Sequence, residues 1–234
     1  MITIAGDTHT HTIACDHAYS TLSQNAAQAK ELGHTFLCVT EHAPAMPGGA
    51  SRIHFSTLPS TLPEEIDGVR LIKGAELNIL DYQGGLDLDS HIISQLEWVI
   101  ASYHPPCIAK SNREQHTQGW IEIAKNPDVD VIGHPGRDWF DFDHLPALKA
   151  FKEYGKVVEI NSHSLRDKVS ISNCYKIAKL CERLEIPVVL SSDAHFHQNV
   201  GRVEPGVAML EEINFPTELI INANHDRFIK FIEG

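Results

Sequence analysis

One helix and the strand that follows it are contained in residues 23–42, SQNAAQAKELGHTFLCVTEH. Ser23–Leu32 is predicted to be a helix, and a glycine stands directly after it, where helices commonly end. The short apolar run Phe36–Thr40 is typical of a buried strand. Glu41 and His42 follow this strand, so the unit ends on two side chains that can carry chemistry.

The same alternation of helix and strand patterns continues along the chain. Strands are also predicted at Thr3–Gly6, Arg70–Glu76, Glu97–Ser102, Asp130–Gly133, Lys156–Asn161 and Pro187–Ser191. Helices are also predicted at Arg113–Lys125, Asp143–Tyr154, Asn173–Leu184 and His225–Glu233, with a helical turn at Pro216–Leu219. Strands that alternate with helices are typical of a parallel sheet with helices outside it. Seven strands favour a closed or nearly closed barrel, with an open doubly wound sheet as the alternative.

The composition is that of an ordinary globular chain with an acidic balance. Its 234 residues show no internal repeat or long linker, so we expect a single domain spanning residues 1–234. A formal net charge of -12 argues against loose binding to nucleic acid. No apolar run approaches the length of a membrane span and the N-terminus lacks a signal-peptide pattern, so we expect no membrane association. Five cysteines without CxxC spacing favour reduced thiols and a cytoplasmic location.

Histidine is the unusual component, because 15 histidines stand beside only 19 lysines and arginines. Histidine and carboxylate side chains recur where the predicted strands end. They fall in Asp7–His11, Glu41–His42, Gly74–Glu76, Ser102–His104, Gly133–Pro135 and Ser191–His195. In a parallel barrel all these strand ends open on one face, where active sites lie. We therefore expect the side chains to meet there.

Imidazole and carboxylate groups together form a normal ligand set for zinc, iron or manganese. Residues two apart in an extended segment point the same way, so His9 and His11 can face one ion, and Asp193 and His195 repeat this spacing. Each residue taken alone has an ordinary explanation, such as a turn, a half-buried histidine or a helix cap. Their shared position at successive strand ends favours a metal centre. The groups outnumber the four ligands of one tetrahedral ion, which predicts more than one ion.

These motifs resemble, in order and along essentially the whole chain, those of the PHP (polymerase and histidinol phosphatase) family. The matching segments are Asp7–Thr12, Thr40–His42, Gly74–Glu76, His104, Gly133–Pro135 and Ser192–His195. The family more often has Asp where Glu41 stands. Residues 17–22, HAYSTL, look most similar to the YcdX-like phosphatases of the family. The resemblance implies an α/β fold, a distorted (β/α)7 TIM-like barrel, in one domain.

The resemblance also implies three divalent metal ions at the barrel mouth, most commonly zinc, with iron or manganese as alternatives. The implied ligands are His9, His11, Glu76 and Asp193 for the first ion, His17, His42 and His195 for the second, and His104 and His134 for the third, with Glu76 bridging the first and third ions. Asp7 would orient a ligand imidazole from behind. The longer carboxylate of Glu41 would alter the contacts behind the ligands without removing a ligand.

The activity that the resemblance implies is a metal-dependent phosphatase acting on a small phosphomonoester, with a metal-activated hydroxide as the attacking group. Asp193 is the candidate catalytic residue, because a bridging carboxylate could also handle a proton. Candidate contacts to the charged part of the substrate are Arg52, His54, Arg137 and Arg202, each in a loop where a solvated role is an equally good explanation. Histidinol phosphate is a candidate substrate by the family name alone.

Three alternative functions stay open at the level of sequence. A nuclease or phosphodiesterase acting on nucleic-acid ends is disfavoured by the acidic chain and the lack of a basic stripe. Enzymes that hydrolyse carbon–nitrogen bonds at similar barrel mouths often use a lysine between the metals, but Lys73 is not at the matching strand end. A non-catalytic metal-binding domain is disfavoured by the complete ligand set. The sequence carries no signal for an oligomeric state.

Overall fold

Seven parallel strands form a nearly closed barrel in the computed structural model, which describes residues 2–234. Their bounds are β1 Gly6–Asp7, β2 Phe36–Val39, β4 Val69–Asn78, β5 Trp98–Ser102, β6 Val131–Ile132, β7 Val157–Asn161 and β8 Val188–Ser191, in that order around the barrel. A short strand β3, Glu65–Ile66, pairs antiparallel with the start of β4. The predicted barrel is confirmed, and the open doubly wound sheet is excluded. The first strand lies later in the chain than the predicted Thr3–Gly6.

Asn222 closes the barrel between its first and last strands. Its side-chain amide donates to the carbonyl oxygens of Gly6 at 3.0 Å and Leu190 at 2.7 Å, and its Oδ1 accepts from the Leu190 amide at 3.0 Å. Further along this seam, the His11 amide donates to the Ala194 carbonyl at 2.9 Å. One side chain therefore satisfies backbone groups that a paired strand would otherwise satisfy. The loops after β1 and β8 are thereby held side by side.

Eight α-helices flank the strands within residues 2–234. Their bounds are α1 Leu22–Glu31, α2 Arg52–Thr61, α3 Ser90–Ile93, α4 Arg113–Lys125, α5 His144–Glu153, α6 Lys168–Leu184, α7 Glu204–Glu212 and α8 His225–Glu233. Polar side chains cap several N-termini, including a capping box of Thr21 and Gln24 at α1 and Asn112 at α4. In this part of the chain, none of the helices has both the length and the apolar character needed to cross a bilayer.

The sequence analysis does not predict α2, α3 or α7, and two of these helices contain proline. Pro59 lies inside α2, where its missing N–H argues against a helix. Pro205 lies in the first turn of α7, a position that tolerates proline. The helix α6 begins at Lys168 rather than at the predicted Asn173, because the Asp167 carboxylate accepts hydrogen bonds from the first amides of the helix.

The barrel interior has an apolar layer at one end and a polar layer at the other. Phe36, Cys38, Ile72, Trp98, Ile100, Val131, Val157 and Val189 form a buried cluster with Phe228 of α8. The Phe228 ring stacks on Phe36 with centroids 4.2 Å apart and meets Trp98 edge-on at 5.0 Å. Side chains an even number of residues further along a strand share the same face, which places Ser102, Glu159 and Ser191, two residues on, and Glu76, four residues on, in the polar layer. The barrel is therefore packed at its N-terminal end and presents polar groups at its C-terminal end.

Candidate metal centre

The strand ends bring the predicted ligand residues together at one mouth of the barrel. His9 and His11 follow β1, His42 follows β2, Glu76 lies in β4, His104 follows β5, His134 follows β6, and Asp193 and His195 follow β8. All of these except His195 are buried. His195 is half-buried and His17, in the loop after β1, is exposed at the rim. The structure thus brings together residues that are far apart in the sequence, with 186 positions between the numbers of His9 and His195.

Four ligand-type atoms lie close together at the mouth, with five separations near those between the ligands of a tetrahedral zinc ion. The His9 Nε2 atom lies 3.1 Å from His11 Nε2, 3.3 Å from Glu76 Oε2 and 3.7 Å from Asp193 Oδ1. The His11 Nε2 atom lies 3.6 Å from Glu76 Oε2 and 3.2 Å from Asp193 Oδ1. Ligand atoms about 2.0–2.1 Å from a tetrahedral ion are separated by about 3.3–3.4 Å. These five separations bracket this value, and the ligand-type atoms of His9, His11 and Asp193 all lie within 4.8 Å of one another.

The other carboxylate oxygen of Glu76 faces a second pair of histidines. Glu76 Oε1 lies 2.9 Å from His134 Nε2 and 3.3 Å from His104 Nε2. The His104 ring is fixed from behind, because its Nδ1 donates to Asn78 Oδ1 at 2.7 Å and leaves Nε2 turned towards Glu76. A carboxylate with its two oxygens in different ligand groups has the arrangement of a bridging ligand between two ions.

A third group of imidazoles lies nearer the opening. The His17 ring centroid is 5.0 Å from that of His42 and 4.8 Å from that of His195. The ligand-type atoms of His42 and His195 also lie within 4.8 Å of an atom of His11. The His195 ring is fixed through its Nδ1, which donates to the Asp193 carbonyl at 3.0 Å. This third group is more open than the other two and includes the exposed His17.

Several atoms that face this centre are buried without a hydrogen-bond partner among the described residues. They are Glu76 Oε2, Asp193 Oδ1, His42 Nδ1 and His104 Nε2. The His42 Nδ1 atom lies 2.7 Å from Glu76 Oε2, yet this pair does not have hydrogen-bond alignment. Leaving such groups unpaired costs about 1–3 kcal/mol each. Cations between them would supply the missing interactions, so the donor set fits a cluster of metal ions.

The charge states around the centre also suit metal ions. Burial would raise the pKa of Glu76, but His42, His9 and His104 outweigh this effect and hold the pKa well below its usual range. Burial, reinforced by Arg137, lowers the pKa of His134 to about 4. Glu76 therefore stays ionised and His134 stays neutral, which are the forms that bind metals. Burial would lower the pKa of His9, but the charges of Glu159, Glu76 and Asp193 outweigh this effect and raise that pKa well above its usual range, so a metal ion at His9 would displace a proton.

Glu159 supports two ligands from inside β7, and the sequence analysis does not include it. Its Oε1 accepts from His9 Nδ1 and from Ser191 Oγ, each at 2.6 Å, and its Oε2 accepts from the His134 amide at 2.6 Å. The predicted strand Lys156–Asn161 was the one strand without an assigned group. A lone carboxylate within the apolar run VVEIN is the signal that could have identified it.

Asp7 has a different role from the one that the resemblance implies. Its carboxylate accepts from the Ser192 amide at 3.1 Å, from the Ser192 hydroxyl and from the Gly201 amide at 2.8 Å. It therefore holds the loop that carries Asp193, whereas Glu159 makes the contact to a ligand imidazole.

Glu41 is accommodated by the loop after β1. Its carboxylate accepts from the Thr12 amide at 2.9 Å, the Thr12 hydroxyl at 2.5 Å and the Cys15 thiol at 3.0 Å. Burial, followed by the charge of Glu41, raises the pKa of Cys15 far above its usual range. Cys15 is therefore a neutral thiol that helps to hold the loop.

Two ligand residues have backbone conformations that are uncommon for residues with a side chain. The φ angles are +30° at His134 and +55° at Asp193. A side chain on Gly133 would overlap Ser102 Oγ, so only glycine fits immediately before His134. Strained backbone of this kind is concentrated at functional sites.

The four predicted substrate contacts fall in different places. Arg137 lies at the mouth, where its Nη2 donates to Asp193 Oδ2 at 2.5 Å, its Nε donates to Ser164 Oγ at 3.0 Å, and its guanidinium lies 4.6 Å from the Trp139 ring centroid. Arg202 lines a neighbouring cavity. The structure does not bring Arg52 and His54 to the centre. They lie on α2, where the exposed Arg52 pairs with Asp89.

An open cavity of about 350 Å³ leads to the centre. Its walls are His17, His42, Met46, His104, Arg137, Trp139, His163, Asp193 and His195. Lys73, the residue considered for carbon–nitrogen hydrolysis, is not part of it. The Lys73 ammonium donates to Glu64 Oε1 at 2.6 Å beside β3, outside the barrel. The geometry therefore gives no support to a lysine between the metals from this position.

Comparisons with known proteins identify the family of this chain. The PHP domain family matches residues 7–163. Proteins named "Probable phosphatase" from Acetivibrio thermocellus and Photobacterium profundum are each 41% identical to this chain; the alignments cover 97% of it and 94% and 93% of those proteins. The crystal structure of histidinol phosphate phosphatase from Lactococcus lactis, complexed with zinc, L-histidinol and phosphate, has a TM-score of 0.63 at 15% identity, covering 90% of this chain and 94% of that one. At this low identity the structural likeness shows the fold alone.

Proposed function

Because the chain belongs to the PHP domain family, we propose that it is a metal-dependent phosphatase that hydrolyses a small phosphomonoester. The observation that carries the proposal is the close approach of ligand atoms from His9, His11, Glu76 and Asp193 at the barrel mouth. Relatives named as phosphatases align with 97% of the chain. This extent also supports a single domain over residues 1–234.

We assign three divalent ions to the centre, with zinc first and iron or manganese as alternatives. The proposed ligands are His9, His11, Glu76 and Asp193 for the first ion, His17, His42 and His195 for the second, and His104, His134 and Glu76 for the third. The division of the Glu76 oxygens between two groups supports its bridging role. The zinc in the Lactococcus lactis protein supports the choice of metal.

Divalent ions held there would lower the pKa of a coordinated water and offset charge on a transferring phosphoryl group. Asp193 is the proposed catalytic residue. Burial would raise its pKa, but His9 and Arg137 hold that pKa well below the usual range, so the carboxylate is ionised, the form that binds a metal and can accept a hydrogen bond from a coordinated water. Its Oδ2 is fixed by Arg137 and by Asn161 Nδ2 at 3.2 Å, which leaves Oδ1 directed at His9 and His11.

The cavity supports a small substrate. Its volume of about 350 Å³ lies at the lower end of the range of about 300–1,000 Å³ for small-molecule sites. The Arg137 guanidinium is stacked on Trp139 at the rim and can donate hydrogen bonds to a phosphate. A bound phosphomonoester would thus be held by Arg137 on one side and by the ligand cluster on the other.

We also propose a cytoplasmic location. All five cysteines are free thiols, and four of them are buried. Burial raises the pKa of Cys174 to about 12. Stable free thiols are typical of a reducing compartment.

Elemental analysis of the protein, purified without a histidine tag, tests the metal proposal. We expect two to three equivalents of zinc, iron or manganese per chain after reconstitution, because the described ligand groups suffice for that number. Recovery of none of these metals, with nothing gained on reconstitution, would contradict the proposal.

Release of inorganic phosphate from p-nitrophenyl phosphate and a panel of sugar phosphates tests the reaction. We expect turnover by metal-loaded protein and a loss of at least about 100-fold in Asp193→Asn, since this residue has both a ligand and a proton role. Asp226→Asn, an exposed position on α8, is the matched control and should retain full activity. Cleavage of single-stranded DNA without any phosphomonoester turnover would favour the nuclease alternative.

A further inference from the structure

A second cavity adjoins the metal centre and shares part of its wall. This side cavity has a volume of about 260 Å³, and His163, Asp193 and His195 line both it and the central cavity. A substrate with its phosphate at the metal centre can therefore extend over these three residues. The part of the substrate that enters the side cavity is then the alcohol part, because the phosphate occupies the centre.

Two arginines without acidic partners line the side cavity. Arg166 and Arg202 are both exposed, and among residues 2–234 neither forms an ion pair or a side-chain hydrogen bond. Arg52, Arg70, Arg113 and Arg137 each pair with a carboxylate. Arg183 on α6 is also unpaired among the described residues but lies outside the cavity, so the distinctive feature of Arg166 and Arg202 is that they share one cavity. Two unpaired guanidinium groups at one cavity are unexpected in a chain with a net charge of -12. They suit a ligand that supplies the missing negative charge.

The carboxylates near this pair are otherwise engaged or lie at its edge. Asp167, next to Arg166, caps α6 by accepting from the Val169 and Ser170 amides at 2.9 Å each. Glu204 lines the side cavity but also lines the separate groove between α1 and α7, so it lies on the ridge between them. Its place in the first turn of α7 stabilises its charge by the helix dipole. The arginines therefore outnumber the one free carboxylate of this cavity.

His163 separates the arginine pair from the metal centre. Its ring centroid lies 6.4 Å from that of His195. An imidazole can hydrogen-bond to a hydroxyl or ester oxygen of the substrate. The order of groups across the two cavities is therefore metal ligands, a hydrogen-bonding imidazole and then two cations.

We propose that the natural substrates are phosphomonoesters whose alcohol part carries a second anionic group, bound by Arg166 and Arg202 in the side cavity. This inference rests on the proposed phosphatase function and specifies its substrate class. The second group is a carboxylate or a second phosphate, since guanidinium binds both through paired N–H···O contacts.

Two pairs of substrates test the proposal and separate these two anions. The first pair is 3-phosphoglycerate against glycerol 3-phosphate, and the second is fructose 1,6-bisphosphate against fructose 1-phosphate. We expect kcat/KM for the doubly anionic member of at least one pair to exceed that of its partner by about 10-fold or more. The pair that shows the preference identifies the anion.

Arginine variants provide the second readout. In Arg166→Gln and Arg202→Gln the preference within the pair should fall by about 10-fold, while zinc content by elemental analysis stays at the wild-type value. Arg183→Gln, an exposed arginine in the last turn of α6, is the matched control and should keep the full preference. Because both positions are exposed, we expect the glutamine variants to fold. If they do not, the comparison of substrates within each pair still tests the proposal, since it uses only the wild-type protein.

Three results would overturn the proposal, in distinguishable ways. Equal kcat/KM within both pairs, with phosphate still released, would refute the second anion and leave the phosphatase function intact. No phosphate release from any substrate by metal-loaded protein would refute the phosphatase function and this inference with it. A preference that is as strong in the Arg166 and Arg202 variants as in the wild type would also overturn it.

Discussion

Replacing Glu159 with glutamine tests whether the groups behind the ligands set metal affinity. Glu159 uses both oxygens as acceptors, for His9 Nδ1 and Ser191 Oγ on one side and for the His134 amide on the other. Glutamine has nearly the same shape but only one acceptor oxygen. Either orientation of its amide therefore places an NH2 group against a buried donor, so at least one of these hydrogen bonds is lost.

The magnitude follows from these contacts. A buried hydrogen bond to a charged group contributes about 1.5–3 kcal/mol, which corresponds to about 10- to 100-fold in a binding constant. The lost hydrogen bond is one that positions either the His9 imidazole or the His134 backbone, and both residues are proposed ligands. We therefore expect Glu159→Gln to weaken zinc binding by about 10- to 100-fold, within the range seen for groups behind metal ligands.

Competition with a chromophoric zinc chelator at constant pH measures this affinity. Circular dichroism of the metal-free proteins should show that the variant is folded before affinities are compared. Glu153→Gln, at the exposed end of α5, removes the same charge away from the site and should bind zinc like the wild type. A zinc affinity of Glu159→Gln within twofold of the wild type would refute the reasoning.

Three further predictions concern the mouth, the closed end of the barrel and the metals. Arg137→Ala should lower kcat/KM for p-nitrophenyl phosphate by about 10- to 100-fold at unchanged zinc content, because it frees Asp193 Oδ2; activity equal to the wild type would contradict this role. Phe228→Ala should lower the free energy of unfolding in urea by about 3–5 kcal/mol, since its fully buried ring packs on Phe36 and Trp98, whereas the half-buried Phe231 should lose less as alanine. Removing the metals should lower the melting temperature, because zinc at 1,000 times its Kd contributes about 4 kcal/mol to the folded state; equal melting curves with and without chelator would argue against bound metals.

The fold and the gathering of the ligand residues were predictable because both depend on regular features of the sequence. Alternating apolar and helical patterns indicate parallel strands, and parallel strands present their C-terminal ends on one face. Residues as distant as His9 and Asp193 could therefore be assigned to one site before any coordinates. Their assignment to particular ions stays a prediction, although the distances around Glu76 agree with a bridging position.

The remaining features depend on contacts that a sequence does not reveal. Glu159 is one acidic residue in a strand, and only the barrel places it behind His9 and His134. Arg202 and Arg137 are both loop arginines in sequence, yet one pairs with Asp193 and the other lines the side cavity. The difference lies in the path of the loops after β6 and β8, for which the sequence has no periodic signal.

The contacts behind the ligands also explain why two ligands can adopt strained backbone conformations. Such a conformation costs about 1–3 kcal/mol at each residue. The His134 amide donates to Glu159, and the Asp193 carboxylate accepts from Arg137; each charged hydrogen bond contributes about 1.5–3 kcal/mol. The two effects are of similar size, so the fold can hold both residues in place before any metal binds. A site held in this way does not need to reorganise when it binds an ion. Glu159 and Arg137 therefore hold His134 and Asp193 in their ligand positions already in the metal-free protein.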